Sequence, residues 1–273
     1  DGCQTELSID ELIFAACRGG WPSALFKNSD KSKLLVAQSY FEGLCREDIS
    51  NIDGKTRDET VTTLLLRSYA RNISTTAANT SILRDIRANT DIGETTFYEY
   101  VAALKKLFVI QDIEAWCPAI RSKSSIQSGN KREFVDPSLV VSALGVEPDY
   151  FNLDLKTFGF IFETLCIRDL KIYSNALGGR VSYYRDRYGL EADCVLHLRD
   201  GKYALIEFKL GSSEIDEGAK HLNEIEKLVE EYNKTEKQCL LRAPDLKIVI
   251  TGTQYGYKRP DGVYVVPIGC LRD

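Results

Sequence analysis

Methionine is absent from the 273 residues, histidine occurs only twice, and no two cysteines stand in a C-x-x-C pair. Each absence excludes something. A chain of this length without methionine is expected to be a piece of a longer protein, or a sequence from which modified methionines are missing. The cysteines are Cys3, Cys17, Cys45, Cys117, Cys166, Cys194, Cys239 and Cys270. With His197 and His221 they give no zinc-knuckle spacing, so reduced thiols in a cytoplasmic protein are expected. No stretch approaches the roughly 18 uninterrupted apolar residues of a membrane span, and no basic segment leads into an apolar one at the start. Neither membrane insertion nor secretion is expected. Charge of one sign is lacking as well: 35 Lys and Arg against 40 Asp and Glu leave a net −5, so nucleic-acid contact has to come from a local patch. What is there is 44% hydrophobic content, enough to build cores for about two domains.

Residues 1–66 read as a helical segment, with apolar positions at helical spacing in Leu12, Ile13 and Ala16 and again in Leu34, Leu35, Tyr40, Phe41 and Leu44. Gly19-Gly20-Trp21-Pro22 breaks the two runs. Gly54-Lys55-Thr56 has the ending of a phosphate-binding P-loop, but the motif's first glycine is replaced by Ile49 and no apolar strand precedes it. No nucleotide is expected to bind.

Residues 67–145 read as a winged helix-turn-helix. Ser81 to Ala88 forms a short helix, Thr96-Phe97-Tyr98-Glu99 a capping box opening a second, and Phe97, Val101, Leu104 and Phe108 one apolar stripe. Strands at Phe108–Ile113 and Glu133–Val135 would form the wing. The loop between them carries Arg121, Lys123, Lys131 and Arg132 with no acid, which makes these four candidate contacts to DNA phosphates. The second helix presents Tyr98, Glu99, Ala102, Lys105 and Lys106, a face poor in base-reading side chains. The same features suit a plain packing module with a solvated loop.

Residues 146–273 read as α+β: a long helix from Leu155 to Tyr173, strands near 181–184, 190–198 and 203–210, a helix from Ala219 to Tyr232, and strands at 246–251 and 262–267. On the long helix Thr157, Thr164, Arg168 and Lys171 mark a solvent side, whereas Glu163 falls among Phe160, Cys166, Ile167 and Leu170. A carboxylate in an apolar stripe needs a partner or a metal. In the hairpin, a two-residue Asp200-Gly201 turn would send Asp193 and Glu207 to opposite faces. A three-residue loop Arg199-Asp200-Gly201, with Gly201 left-handed, pairs Leu198 with Lys202, setting Asp193 across from Glu207 and Glu191 across from Lys209. The second register keeps the hydrophobic sets together and is preferred. Carboxylates opposed at about 5 Å repel unless a cation lies between them. Oxygen ligands beside a lysine suit Mg²⁺ or Mn²⁺ and phosphodiester hydrolysis; an ordinary solvated sheet edge is the competing reading. Tyr183, Tyr184, Arg185, Arg187 and Tyr188, aromatic and basic together, suit base stacking and phosphate contact, or strand packing beside a solvated turn.

Glu163 on a helix, Asp193, and Ile206-Glu207-Phe208-Lys209 after a short hairpin resemble the PD-(D/E)XK, or restriction-endonuclease-like, superfamily. The resemblance implies a C-terminal nuclease-like α/β domain in which Asp193, Glu207 and Glu163 bind metal and Lys209 assists the attacking water. Ala192 stands where that motif has proline. Gly19-Gly20-Trp21-Pro22, Arg67-Ser68-Tyr69-Ala70-Arg71-Asn72, Phe134-Val135-Asp136-Pro137, Tyr184-Arg185-Asp186 and Gly189-Leu190-Glu191-Ala192-Asp193 together resemble the C-terminal region of prokaryotic AAA-type ATPases. That resemblance implies a missing ATPase core ahead of this chain, with residues 1–66 as a linker or lid remnant. It names DNA, that core and further copies of the chain as the expected partners. The competing expectation is a catalytically silent regulatory, protein-binding or oligomerisation module, which the acidic balance favours.

Overall fold

A computed structural model describes residues 2–119, 128–236 and 238–272. The chain forms two compact units, one of residues 13–112 and 130–165, the other of residues 1–12, 113–129 and 166–273. An N-terminal helical region is followed by a mixed α/β region with a seven-stranded mixed sheet. No helix among the described residues is long and apolar enough to cross a membrane.

The first unit is helical. After α1 (Ile9–Arg18), whose first residues belong to the second unit, come α2 (Pro22–Leu25), α3 (Asp30–Gly43), α4 (Ile49–Asn51), α5 (Glu59–Arg71), α6 (Asn79–Arg87), α7 (Glu94–Lys106), α8 (Pro137–Leu144) and α9 (Pro148–Phe151). The starts of α3, α5 and α8 follow capping chemistry. Ser29 accepts the Ser32 N–H at 3.2 Å, Asp58 that of Val61 at 2.9 Å and Asp136 that of Ser138 at 2.9 Å, each satisfying a first-turn donor. Pro137 at the first helical position and Gly145 at φ +69° bracket α8. Helix α7 opens two residues before the Thr96 capping box of the sequence reading, on Gly93, with no side-chain cap.

Two motifs far apart in sequence meet here. The Asp136 carboxylate accepts the Gly20 N–H at 2.9 Å, and the Trp21 indole donates to Ser138 Oγ at 2.8 Å. Gly19 lies at φ +73°, where a Cβ would come within 2.4 Å of Ser138 Oγ, so only glycine fits. The expected wing is reduced to an antiparallel bridge, Ile110 to Phe134, flanked by Gln111 N–H to Glu133 O at 2.8 Å and Val135 N–H to Val109 O at 3.1 Å. Phe108, at φ +55°, breaks the extended run where the strand was expected to begin.

The sheet of the second unit has the order β1-β6-β7-β5-β4-β3-β2, with β1 Cys3–Gln4, β2 Arg180–Arg185, β3 Glu191–His197, β4 Tyr203–Lys209, β5 Leu246–Thr251, β6 Tyr255–Lys258 and β7 Tyr264–Pro267. Strands β2, β3 and β4 are antiparallel, while β4, β5 and β7 run parallel. The crossover between β4 and β5 is supplied by α11 (Ile215–Thr235), as parallel neighbours require. Its Ala219, Leu222 and Ile225 pack with Val195, Tyr203, Leu205, Val249 and Val265 into the core of this unit. The long helix α10 (Leu155–Asn175) has residues in both units, dividing after Leu165.

The hairpin takes the three-residue loop. Gly201 sits at φ +85°, the Leu198 N–H donates to Lys202 O at 2.8 Å, and His197 pairs with Tyr203 through to Cys194 with Ile206. Beyond Cys194 the strand departs from strict alternation. Ser182 pairs with Val195 and Tyr184 with Ala192, so Asp193 and Cys194 both fall opposite Tyr183 in a β-bulge. The bulge puts Ala192 in the same core as Val195; Glu191 pairs with Arg185 of β2, and the ladder to β4 ends at Cys194, before the expected pairing of Glu191 with Lys209.

Candidate functional site

The bulge decides what Asp193 does. With the β3–β4 ladder ending at Cys194, its carboxylate turns to the neighbouring strand and accepts the Phe208 N–H at 2.9 Å. On β4, a central strand, Glu207 is only 2% exposed, and a carboxylate so buried needs cationic or donor partners. Lys209 Nζ lies 3.0 Å from its Oε2, and His221 Nδ1, from α11, 3.6 Å from its Oε1. Burial alone would depress the Lys209 ammonium, but the carboxylates of Glu207 and then Asp193 outweigh it, and its pKa is raised. Helix α11 comes this close because residue 218 is glycine: a Cβ there would stand 3.2 Å from Lys209 Cε and 3.3 Å from Glu207 Cβ. Asp193, Glu207, Lys209 and His221 therefore form one polar cluster at the bulged end of the hairpin.

Glu163 belongs to the helical unit. Its Oε1 receives Lys131 Nζ at 2.6 Å, with Lys131 1% exposed. The adjacent Thr164, expected on a solvent face, is fully buried and donates to Glu133 Oε2 at 2.9 Å; Ser74, at φ +58°, donates to Glu133 Oε1 at 2.9 Å. Phe160, expected in the apolar stripe, is 41% exposed. Arg132, 7% exposed, pairs with Asp112 at 3.0 Å, and Asp112 also accepts from Tyr69 and Lys105. Arg121 and Lys123 lie outside the described residues. In the sheet unit Arg185 is half exposed, 3.8 Å from Glu191, while the exposed Arg187 donates to the Tyr188 hydroxyl at 2.6 Å and lies over its ring.

Gly218 and His221 escaped the sequence reading. Their signal was a lone glycine inside a helical run, one turn before a histidine, shortly after the Glu-Phe-Lys strand. Among the described residues no group of three or more His, Cys, Asp or Glu side chains is placed to hold a metal ion. Mg²⁺ is commonly bound through one or two carboxylates, with water and substrate phosphate completing six oxygens, and the donor set of Asp193 and Glu207 fits that requirement.

A family model for a domain of unknown function, DUF4143, matches residues 158–271. No curated protein and no solved structure matches the chain. The model of a second domain of unknown function, DUF8612, matches residues 9–150, more than half of the chain, and the protein belongs to that family.

Proposed function

We propose that the sheet unit carries a divalent-metal-dependent phosphodiesterase site of the PD-(D/E)XK kind, and that the helical unit, with its winged-helix-like α5 to α7, holds the DNA on which it acts. The observation that carries this reading is the bulge at Asp193. Bulges that re-aim a side chain are enriched beside active sites, and this one turns a carboxylate toward Phe208, between the buried Glu207 and Lys209. Asp193 and Glu207 would hold Mg²⁺ or Mn²⁺, which when bound lowers the pKa of water and neutralises phosphate charge. Lys209 has a raised pKa and stays an ammonium at neutral pH. Its ammonium would hold an anionic phosphate oxygen, while a bound metal would take up the two carboxylates that raise its pKa. Arg185, at the end of β2, and Arg187, in the turn after it, would take backbone phosphates.

A second reading has its own support. Both Glu207 oxygens already have partners, Lys209 and His221, as in a structural ion-pair cluster of a silent module. Asp193→Asn separates the two, because asparagine keeps an acceptor for the Phe208 N–H while removing the charge. Glu207→Gln does not, since it deprives Lys209 of its partner on either reading. Thermal melts with chelator and with Mn²⁺ at a hundred times its dissociation constant should show about 2.7 kcal/mol of stabilisation in the wild type and none in Asp193→Asn. Supercoiled plasmid should be nicked by the wild type only. No metal-dependent shift in the wild type, with Asp193→Asn melting as the wild type does, sinks the phosphodiesterase reading.

A further inference from the structure

Away from the hairpin, the helical unit holds a cleft of about 700 Å³ walled by α1, α3, α8 and the segment leading into α9. Its apolar wall is Phe14, Leu34, Leu35, Phe41, Val141 and Val146. The volume lies in the range of built binding pockets, which run from about 300 to 1,000 Å³. The α3 wall is a continuous stripe in which Lys31, Leu34, Leu35, Gln38, Phe41 and Glu42 recur at helical spacing along one face. At 1.5 Å per residue that stripe is about 16 Å long, three helical turns, which is the footprint of a helix lying in a groove.

The rim is acidic. Asp30, Glu42, Glu147 and Asp149 line the cleft against a single lining cation, Lys31. Asp30 is balanced by Lys33 at 2.8 Å, and Glu42 accepts from Gln38 at 3.0 Å. Glu147 and Asp149 have no ion pair among the described residues. The carbonyl end of α8 opens on the same cleft through Val141, Ser142 and Gly145, adding the negative pole of a helix dipole. An apolar floor with a negative rim selects an occupant of complementary pattern.

We propose that this cleft docks an amphipathic helix of a partner protein, apolar on one face and bearing lysine or arginine along its edges. The docking is independent of the phosphodiesterase reading, because none of its residues belongs to the Asp193 cluster. The test uses the whole chain and a fluorescein-labelled peptide of leucine and lysine, about four helical turns long, with its leucine–glutamate counterpart as control. Anisotropy should show saturable binding of the lysine peptide, with a gain of peptide helicity, and little binding of the glutamate peptide. Glu147→Lys with Asp149→Lys should weaken it about tenfold, and Leu35→Ser should weaken it too. Glu230→Lys with Glu231→Lys, the same change of net charge on the exposed face of α11, should leave it within about twofold. Equal weakening by the two charge reversals means that the peptide answers only to net charge, and the proposal falls. It falls as well if Leu35→Ser binds like wild type, or if no saturation is reached. All five substituted residues are exposed, and unchanged melting temperatures establish that each variant is folded.

Discussion

At the scale of single residues, His197 gives the fold a pH dependence with a definite sign. Burial, and then the Arg180 charge, lower its pKa from 6.5, while Ser182 Oγ sits 3.1 Å from Nε2 and the Trp116 ring lies beside the imidazole. The folded state therefore binds fewer protons than the unfolded state just below pH 6.5. This contribution is complete above that pH and is lost as pH falls toward the lowered folded value. Melting temperatures followed from pH 7.5 down to about 5.5 should decline in the wild type, and the decline should be shallower in His197→Gln. Identical slopes would remove His197 as the cause. Lys131 and Glu163 make a second residue-scale case, since at 2.6 Å with both side chains largely buried they are costly to separate. Lys131→Met should cost about 3 kcal/mol, and a cycle with Glu163→Gln should show about 1 kcal/mol of coupling or more by denaturant unfolding. Additive effects would mean that the pair contributes nothing of its own.

At the scale of elements, the hairpin is the part that depends most on one backbone angle. Gly201 stands at φ +85° with nothing within 4 Å of a would-be Cβ, so Gly201→Ala adds strain without a clash. It should lower stability by about 1 kcal/mol, and Gly201→Asn by less, because asparagine tolerates the left-handed region. Equal melts of all three proteins would show that the loop relaxes freely. This turn was readable in the sequence because a glycine at the only left-handed position leaves a single register that keeps both hydrophobic sets together. The bulge, set among the core residues Ala192, Cys194 and Val195, was not readable. Its extra residue, at Asp193–Cys194, leaves the sequence alternating as a regular strand would, and only the pairing with β2 reveals it. The α10 face was misread for a related reason: Thr164 is polar yet buried, because its hydroxyl has Glu133 to bond, and helical periodicity sees polarity without partners. Strands β1 and β6, of two and four residues, are too short for any periodic signal. The four-residue motifs around Trp21 and Asp136 were visible as punctuation, but their joint role as a clasp required three dimensions.

At the scale of the whole molecule, the compact units and the matched family segments do not share boundaries. The segment at 158–271 omits residues 113–129, although Trp116 stacks on Tyr203 at 4.6 Å and pairs its backbone with Tyr183 inside the sheet unit. Residues 158–271 expressed alone should therefore melt lower than the same unit in the full chain and bind a hydrophobic dye. An equally stable fragment would show that Trp116 is dispensable. The chain's first residues carry a related consequence. Strand β1 pairs Cys3 with Gly256 and Gln4 with Tyr255, closing the side of β6 that β7 does not occupy. Without those two residues β6 would offer open N–H and C=O groups beside Tyr255 and Tyr257, 60% and 45% exposed, a template onto which any extended chain can zip. A version lacking residues 1–8 should sediment as concentration-dependent aggregates while the full chain does not. On that outcome the two-residue strand β1 is a stopper against fibril-like growth, and an assembly state measured on a chain trimmed of it would report the missing stopper.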